Sequence, residues 1–321
     1  MKLVTDKEKI LSLLREHIKK FGHRPEHHEW LFLYEAYPES ELNYFDFGDD
    51  GGIFAERKGP HWFISEEPIA PPAKRIDLFL EVLKYIFIAP HAPRAGQKVS
   101  VEDWTKEFKN KCAEALRPLP YRIARPNEIQ YCPVINLEKF DTTLSGGAMR
   151  GLRYARNRFF KNHKIEIKDA REVSADQMLN LLEVWRKMRK ARDKVWAPDY
   201  VKFIQNGFPE CAIKRAVCID GALRGLSVGW RIPNLTGYYI YMDIHDYSDE
   251  YLGEFVSLDH ILEAKRMGFK YLDFGGSDKG LLNFKKKFHP EYTYKTCNFL
   301  ILSIISRIIT DLFYTLTHDR G

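Results

Sequence analysis

Between Ala212 and Asp273 the hydrophobic period changes twice, and the order of the changes leaves few folds open. Ala212–Ile219, Leu223–Arg231 and Gly237–Ile244 are rich in β-branched and aromatic residues and read as three strands. Asp220-Gly221, between the first two, is the strongest hairpin signal in the chain, because Asp-Gly suits the type I′ turn, whose two central residues both need positive φ. A helical period then covers Leu252–Met267, and a short apolar strand follows at Lys270–Asp273. A meander that hands over to a helix and then to a parallel strand is an α/β arrangement.

The stretch that closes this region is Tyr271–Phe288, YLDFGGSDKGLLNFKKKF. It reads as a strand into Asp273, a turn at Gly275-Gly276, and a helix from about Leu281 to Lys287 that carries Asn283 and three lysines. Backbone N–H groups and cations meet there, which suits an anion, although a lysine run is also what an ordinary solvated helix face shows. Upstream, the pattern predicts a basic helix from near Leu144, a strand at Lys164–Lys168, and helices at Ser174–Arg192 and Pro198–Asn206. A last strand is expected at Tyr292–Leu302.

The first half carries a shorter version of the same order. Helices are expected at Asp6–Phe21, Pro25–Tyr37, Ala73–Ile88 and Val101–Leu116. Strands are expected at Leu42–Phe47, Gly52–Arg57, His61–Ser65, Tyr121–Ala124 and Gln130–Asn136, and His91–Gly96 reads as a Pro/Gly loop. Two related domains follow, 1–134 and 135–321, with the active cleft expected in the second.

Composition narrows the function. Apolar residues are 45% and charged residues 29%, so the chain forms a core. A net charge of +6 falls short of a dedicated nucleic-acid binder but allows a local basic patch. The five cysteines are irregularly spaced with no Cys-x-x-Cys pair, which fits a reduced, cytoplasmic setting, and no metal site is expected. Phe299–Leu316 is the most apolar stretch. Arg307 and Asp311 interrupt it, so a strand plus an amphipathic helix is expected, with peripheral membrane contact through that helix as the alternative.

Two further constellations carry chemistry. Arg150, Arg153, Asn157 and Lys161 share one face of the basic helix, opposite Leu152, Ala155 and Phe159. That stripe is either solvated or a phosphate site. In Gly237–Phe255, the acids Asp243, Asp246 and Glu254 stand near a strand end and a helix start, where a base for an attacking amine, or a simple capping carboxylate, is expected. No Walker loop, nucleophile elbow or dinucleotide fingerprint is present in the sequence.

These segments bring a family resemblance. LRYARNRFFKN, the strands GLSVGWRI and GYYIYMDI, the helix GEFVSLDHILEAKRMGFKYLDFGG and then GLLNFKKKFHP resemble GNAT-fold aminoacyltransferase-like proteins. Among them the chain looks most like the C-terminal domain of phosphatidylglycerol lysyltransferase, and it is similar to FemABX peptidyltransferases in Gly280, Leu281, Phe284, Lys285 and Phe288. The Asp243–Gly276 region also resembles part of the arginyl-tRNA–protein transferases. The resemblance implies tandem GNAT-like domains of the α/β (α+β) class, each a mixed twisted sheet with helices on both faces. It implies transfer of an activated aminoacyl or acyl group to an amine or hydroxyl, with no bound cofactor. The expected donor is an aminoacyl-tRNA, the alternative being acyl-CoA; a non-catalytic binding module on the same fold is a third reading. The coenzyme A pyrophosphate loop is not evident, nor are a flippase portion or a coiled-coil insertion, so a lipid is not the first acceptor expected. Small-molecule, peptide and lipid acceptors all stay open. Expected roles are base or positioning for Asp243 and Asp273, and oxyanion or donor contact for Lys285. Donor-phosphate contact is expected from Arg153, Asn157, Arg158, Lys161 and Lys286, and cleft walls from Gly253, Gly275, Gly276, Phe284 and Phe288.

Overall fold

The computed structural model describes residues 1–30, 40–88, 97–126, 128–189 and 197–303. The expected helix after Phe299–Leu302, the loop His91–Gly96 and most of the second helical piece lie outside them. The described residues divide into two compact units. The first takes residues 1–27, those between 40 and 130, and 295–303; the second takes 28–30 and those from 131 to 294.

In the first unit, β1 (Lys2–Val4), β2 (Glu41–Asp46), β3 (Gly52–Lys58) and β4 (His61–Ile64) form an antiparallel run. Helix α1 (Lys7–Phe21) starts at Asp6, whose carboxylate accepts the Lys9 N–H at 2.9 Å. Helix α2 (Arg75–Ile88) leads into β5 (Lys98–Thr105), which pairs parallel with β4 from His61↔Lys98 to Ile64↔Val101. The expected helix over Val101–Leu116 is thus shorter. Val99 and Val101 are buried between two strand partners, and α3 (Lys106–Leu116) begins only at Thr105, which caps the Phe108 N–H. Strand β6 (Tyr121–Ile123) and β13 (Tyr292–Ser303) complete this sheet, β13 pairing with β5 and β6. The core packs Trp104 against Phe79, Phe108 and Phe299.

In the second unit the strand order is β7 (Glu128–Asn136), β12 (Tyr271–Asp273), β11 (Gly237–His245), β10 (Ala222–Arg231), β9 (Ile213–Ile219) and β8 (Ile165–Asp169). The β9–β10 turn has positive φ at both Asp220 and Gly221, as the sequence requires. Helix α4 (Arg150–Asn162) starts later than expected. Asp141 accepts hydrogen bonds from the backbone N–H and hydroxyl of both Thr143 and Ser145, and this turn holds the chain out of helix. Helices α5 (Ala175–Met188) and α6 (Ala197–Gln205) precede the meander; α7 (Leu252–Arg266) joins β11 to β12, and α8 (Lys279–Lys285) follows. Helices cover both sheet faces. Tyr238 meets His260 of α7, while its neighbour Tyr239 points the other way onto Trp230, which meets Phe203 of α6 edge to face.

Both units therefore share one plan, in which a three-strand meander passes through a helix to a strand parallel with the meander's last. The α8 end is locked by Phe288, fully buried against Phe274 (5.3 Å) and Phe284 (5.6 Å). Phe288→Ala is expected to lose about 3–5 kcal/mol in urea unfolding; a loss below about 1 kcal/mol would contradict this packing.

Candidate active site

Strands β11 and β12 are hydrogen-bonded only from Gly237↔Tyr271 to Tyr239↔Asp273. After Asp273 the chain turns through Gly275, at φ +70°, while β11 continues to His245. The strands part there. Strand β11 also carries a bulge, since Val228 faces Met242 but Gly229 faces Ile240, which leaves Tyr241 extra. One extra residue reverses which face the later side chains take. Strict alternation would put Asp243 and His245 with Tyr239. The bulge turns them towards α7 instead. Asp243 Oδ2 accepts the Ser257 hydroxyl of α7 at 2.5 Å, and the His245 ring lies over Gly253, where a Cβ would come within 2.7 Å of it.

Four acids are candidates for the base, Asp243, Asp246, Glu254 and Asp273, and their partners separate them. Asp246 accepts from Arg224 at 2.6 Å and from the Ser248 hydroxyl. Glu254 is paired with Lys287 at 2.5 Å. Asp243 keeps Oδ1 buried with no hydrogen-bond partner among the described residues. Burial raises its carboxyl to about 6, with the Ser257 hydroxyl and the charge of Lys285 acting in the opposite sense. His245 is held below its ordinary value by burial and is therefore neutral at pH 7.

Lys285 is buried, and its ammonium donates to the carbonyls of Phe274 (2.5 Å), Gly275 (3.1 Å) and Gly276 (3.2 Å). All three N–H donors are thereby used. Burial lowers it to about 8, against the negative charges of Asp273 and Asp243, so it is still mostly protonated at pH 7. Asp273 Oδ1 accepts the Gly275 N–H at 2.8 Å, and Oδ2 accepts the Tyr294 hydroxyl at 2.6 Å. Asp273 and Lys285 thus fix the turn that diverts β12. At Gly275 a Cβ would lie 3.1 Å from the Tyr239 ring, so both the positive φ and the space favour glycine.

In the first unit the equivalent strands do not leave such a gap. Past Ile64↔Val101, Glu67 accepts the Thr105 N–H at 3.0 Å and the Thr105 hydroxyl at 2.6 Å, tying the segment after β4 to the end of β5.

A family model for the C-terminal part of phosphatidylglycerol lysyltransferase matches residues 26–297. The chain belongs to this family. No curated protein sequence matches it at a significant level. Among solved structures, L-PGS from Bacillus licheniformis superposes with a TM-score of 0.66 at 13% identity, over 94% of this chain and 95% of that one. FemX gives 0.53 at 12% identity, over 97% and 99%. A tandem GNAT protein from the clavulanic acid biosynthesis pathway gives 0.54 at 11% identity, over 94% and 98%. The lysyltransferase-family chain therefore has the GNAT-type fold expected from its sequence.

The expected site residues fall into two groups. Asp243, Asp273, Lys285, Gly253, Gly275 and Gly276 gather where β11 and β12 part, backed by Phe284 and Phe288. The α4 residues are placed differently. Arg153 donates to the carbonyls of Leu144 and, at 3.2 Å, Gly146, so it holds the loop before its own helix. Arg158 lies over the Tyr251 ring at the start of α7, while Asn157, Lys161 and Lys286 are exposed. Sequence reasoning missed Ser257, His245, Arg189 and Tyr200. Arg189 lies near enough to Lys285 and His245 to disfavour a further positive charge on either. The half-buried Tyr200 donates its hydroxyl hydrogen to the Tyr241 carbonyl at 3.3 Å. Among the described residues no metal-binding cluster is present, and no helix is long and apolar enough to cross a membrane. Lys285→Met would take a donor from three carbonyls, leaving Gly275 with the Ser277 hydroxyl at 3.4 Å. It is expected to cost roughly 2–4 kcal/mol in chemical denaturation; unchanged stability would show that the turn does not depend on the ammonium.

Proposed function

We propose that this chain transfers an aminoacyl group from an aminoacyl-tRNA to an amine or hydroxyl, with Asp243 as the base. The observation that carries the reading is the Asp243 carboxylate. It combines a buried oxygen without a hydrogen-bond partner among the described residues, a second oxygen oriented by Ser257, and a pKa raised to about 6. A base poised near the working pH is what proton abstraction in the transition state needs.

The acceptor nitrogen or oxygen attacks the ester carbonyl carbon of the donor, and Asp243 takes its proton. The new C–N or C–O bond forms, the bond to the ribose oxygen breaks, and Asp243 returns the proton to that leaving oxygen. No covalent enzyme intermediate is needed. Lys285 acts from behind, holding the Phe274–Gly276 carbonyls and with them the turn that takes β12 away from β11. Phosphatidylglycerol, in the family's name, is the first hydroxyl acceptor to try, beside free amines and peptides. Charged tRNA as donor implies a cytoplasmic site of action.

The acyl-CoA alternative is weakened by the start of α7. There the Tyr251 N–H is already bonded to the Asp249 carboxylate at 3.0 Å. That acid occupies a backbone donor and opposes a pyrophosphate at that helix end.

Two measurements test the base. With charged tRNA and a series of acceptors, transfer by the wild type should rise with pH through about 6 as Asp243 ionises. Asp243→Asn should lower transfer by roughly 10²–10⁴-fold. Because folding raises the Asp243 pKa from 3.8 to about 6, its stabilising contribution is complete below 3.8 and is lost as pH climbs through 6. Asp243→Asn should therefore be more stable than wild type by about 1–3 kcal/mol at pH 7 and equal to it near pH 3.5. Full activity in the variant would remove Asp243 from the mechanism.

A further inference from the structure

Helix α4 carries four arginines, one lysine and no acid. Leu152, Ala155 and Phe159 bury its inner edge. On the outer side Tyr154 is 53% exposed, although a tyrosine this large normally finds cover. Its ring meets that of Tyr251 at 5.6 Å and 83°. Arg158 joins them: Nη1 donates to the Tyr154 hydroxyl at 3.1 Å, and the guanidinium lies 5.3 Å from the centre of the Tyr251 ring. Two aromatic planes and one guanidinium plane are thus pre-ordered at the surface. Asn157 and Lys161 are exposed on the same helix.

We infer that the Tyr154–Arg158–Tyr251 cluster receives an unpaired nucleobase of a single-stranded RNA end, with Asn157 and Lys161 meeting the adjoining backbone. Exposed aromatic faces beside cations bind single strands through stacking, which needs unpaired bases. Glu250 lies near Arg158 and opposes phosphate on that side, which leaves a base plane as the group that suits Tyr251. A lipid surface fits less well. The aromatics of the cluster are tyrosines held by a guanidinium, and the exposed ring of Phe160 is set edge-on to Phe255 at 5.3 Å. The inference rests on the aminoacyl-tRNA reading, because the tRNA 3′ end is single-stranded and carries the ester.

The test is direct binding, by fluorescence anisotropy, of uncharged single-stranded RNA ending in CCA, with blunt duplex RNA and phosphatidylcholine–phosphatidylglycerol vesicles as comparisons. The wild type should prefer the single strand. Tyr154→Ala, at an exposed position, should weaken binding about tenfold without changing the salt dependence, and Tyr154→Phe should restore it. Lys161→Ala should lower the slope of log affinity against log salt by about 0.7. Equal binding by Tyr154→Ala and wild type, equal binding of duplex and single strand, or capture by vesicles without RNA binding would each overturn the inference. Binding as expected, but no transfer from charged tRNA, would instead overturn the donor reading and leave the RNA site standing. Transfer that is insensitive to Tyr154→Ala would remove only the stacking site.

Discussion

Two parallel strands stay hydrogen-bonded only while they run side by side, and β12 leaves β11 after Asp273. What diverts it is a buried charge. The Lys285 ammonium gathers the carbonyls of residues 274–276, and Asp273 anchors the Gly275 N–H and the Tyr294 hydroxyl. An ammonium removed from water is tolerated only with its donors satisfied, and here each has a carbonyl. The same contacts that make Lys285 affordable end the β11–β12 pairing at Tyr239↔Asp273.

The bulge at Tyr241 completes the arrangement. It carries Asp243 and His245 to the α7 face, where Ser257 orients one carboxylate oxygen and burial leaves the other without a hydrogen-bond partner among the described residues. The nearby positive charge of Lys285 limits how far burial raises the Asp243 pKa. Stability and chemistry oppose each other at this residue. The half-buried carboxylate costs folding free energy at neutral pH, and it is the feature on which the proposed proton transfer rests.

Much of this was legible in the sequence. The meander, the Asp220-Gly221 turn, the α7 helix and the glycine turn all have local signatures, and each was placed within a few residues. Strand β5 was not, because Glu102 and Asp103 give Val99–Thr105 no clear alternation and its identity comes from its partners β4 and β13. Lys285 was legible as a cation but not as a buried one. The signal was present: Leu282, Lys285 and Phe288 recur every three residues, which sets a lysine on an apolar stripe. Asp243 and Asp273 were expected from the family resemblance, but what physically separates Asp243 from Asp246 and Glu254 was beyond the sequence, since it depends on Arg224 and Lys287, which reach across from other elements, and on a one-residue bulge that leaves no mark in composition. Arg153 was assigned to a ligand and bonds its own loop, a contact that helical periodicity does not reveal.

The proposed proton transfer turns on the protonation of one carboxyl, which can be observed without substrate. In a protein labelled with carboxyl-¹³C aspartate, the Asp243 resonance, assigned by its loss in Asp243→Asn, should titrate with a midpoint near 6. In Lys285→Met the midpoint should move higher, because a nearby positive charge has been removed. A midpoint at the ordinary value of about 3.8, unmoved by Lys285→Met, would contradict the account.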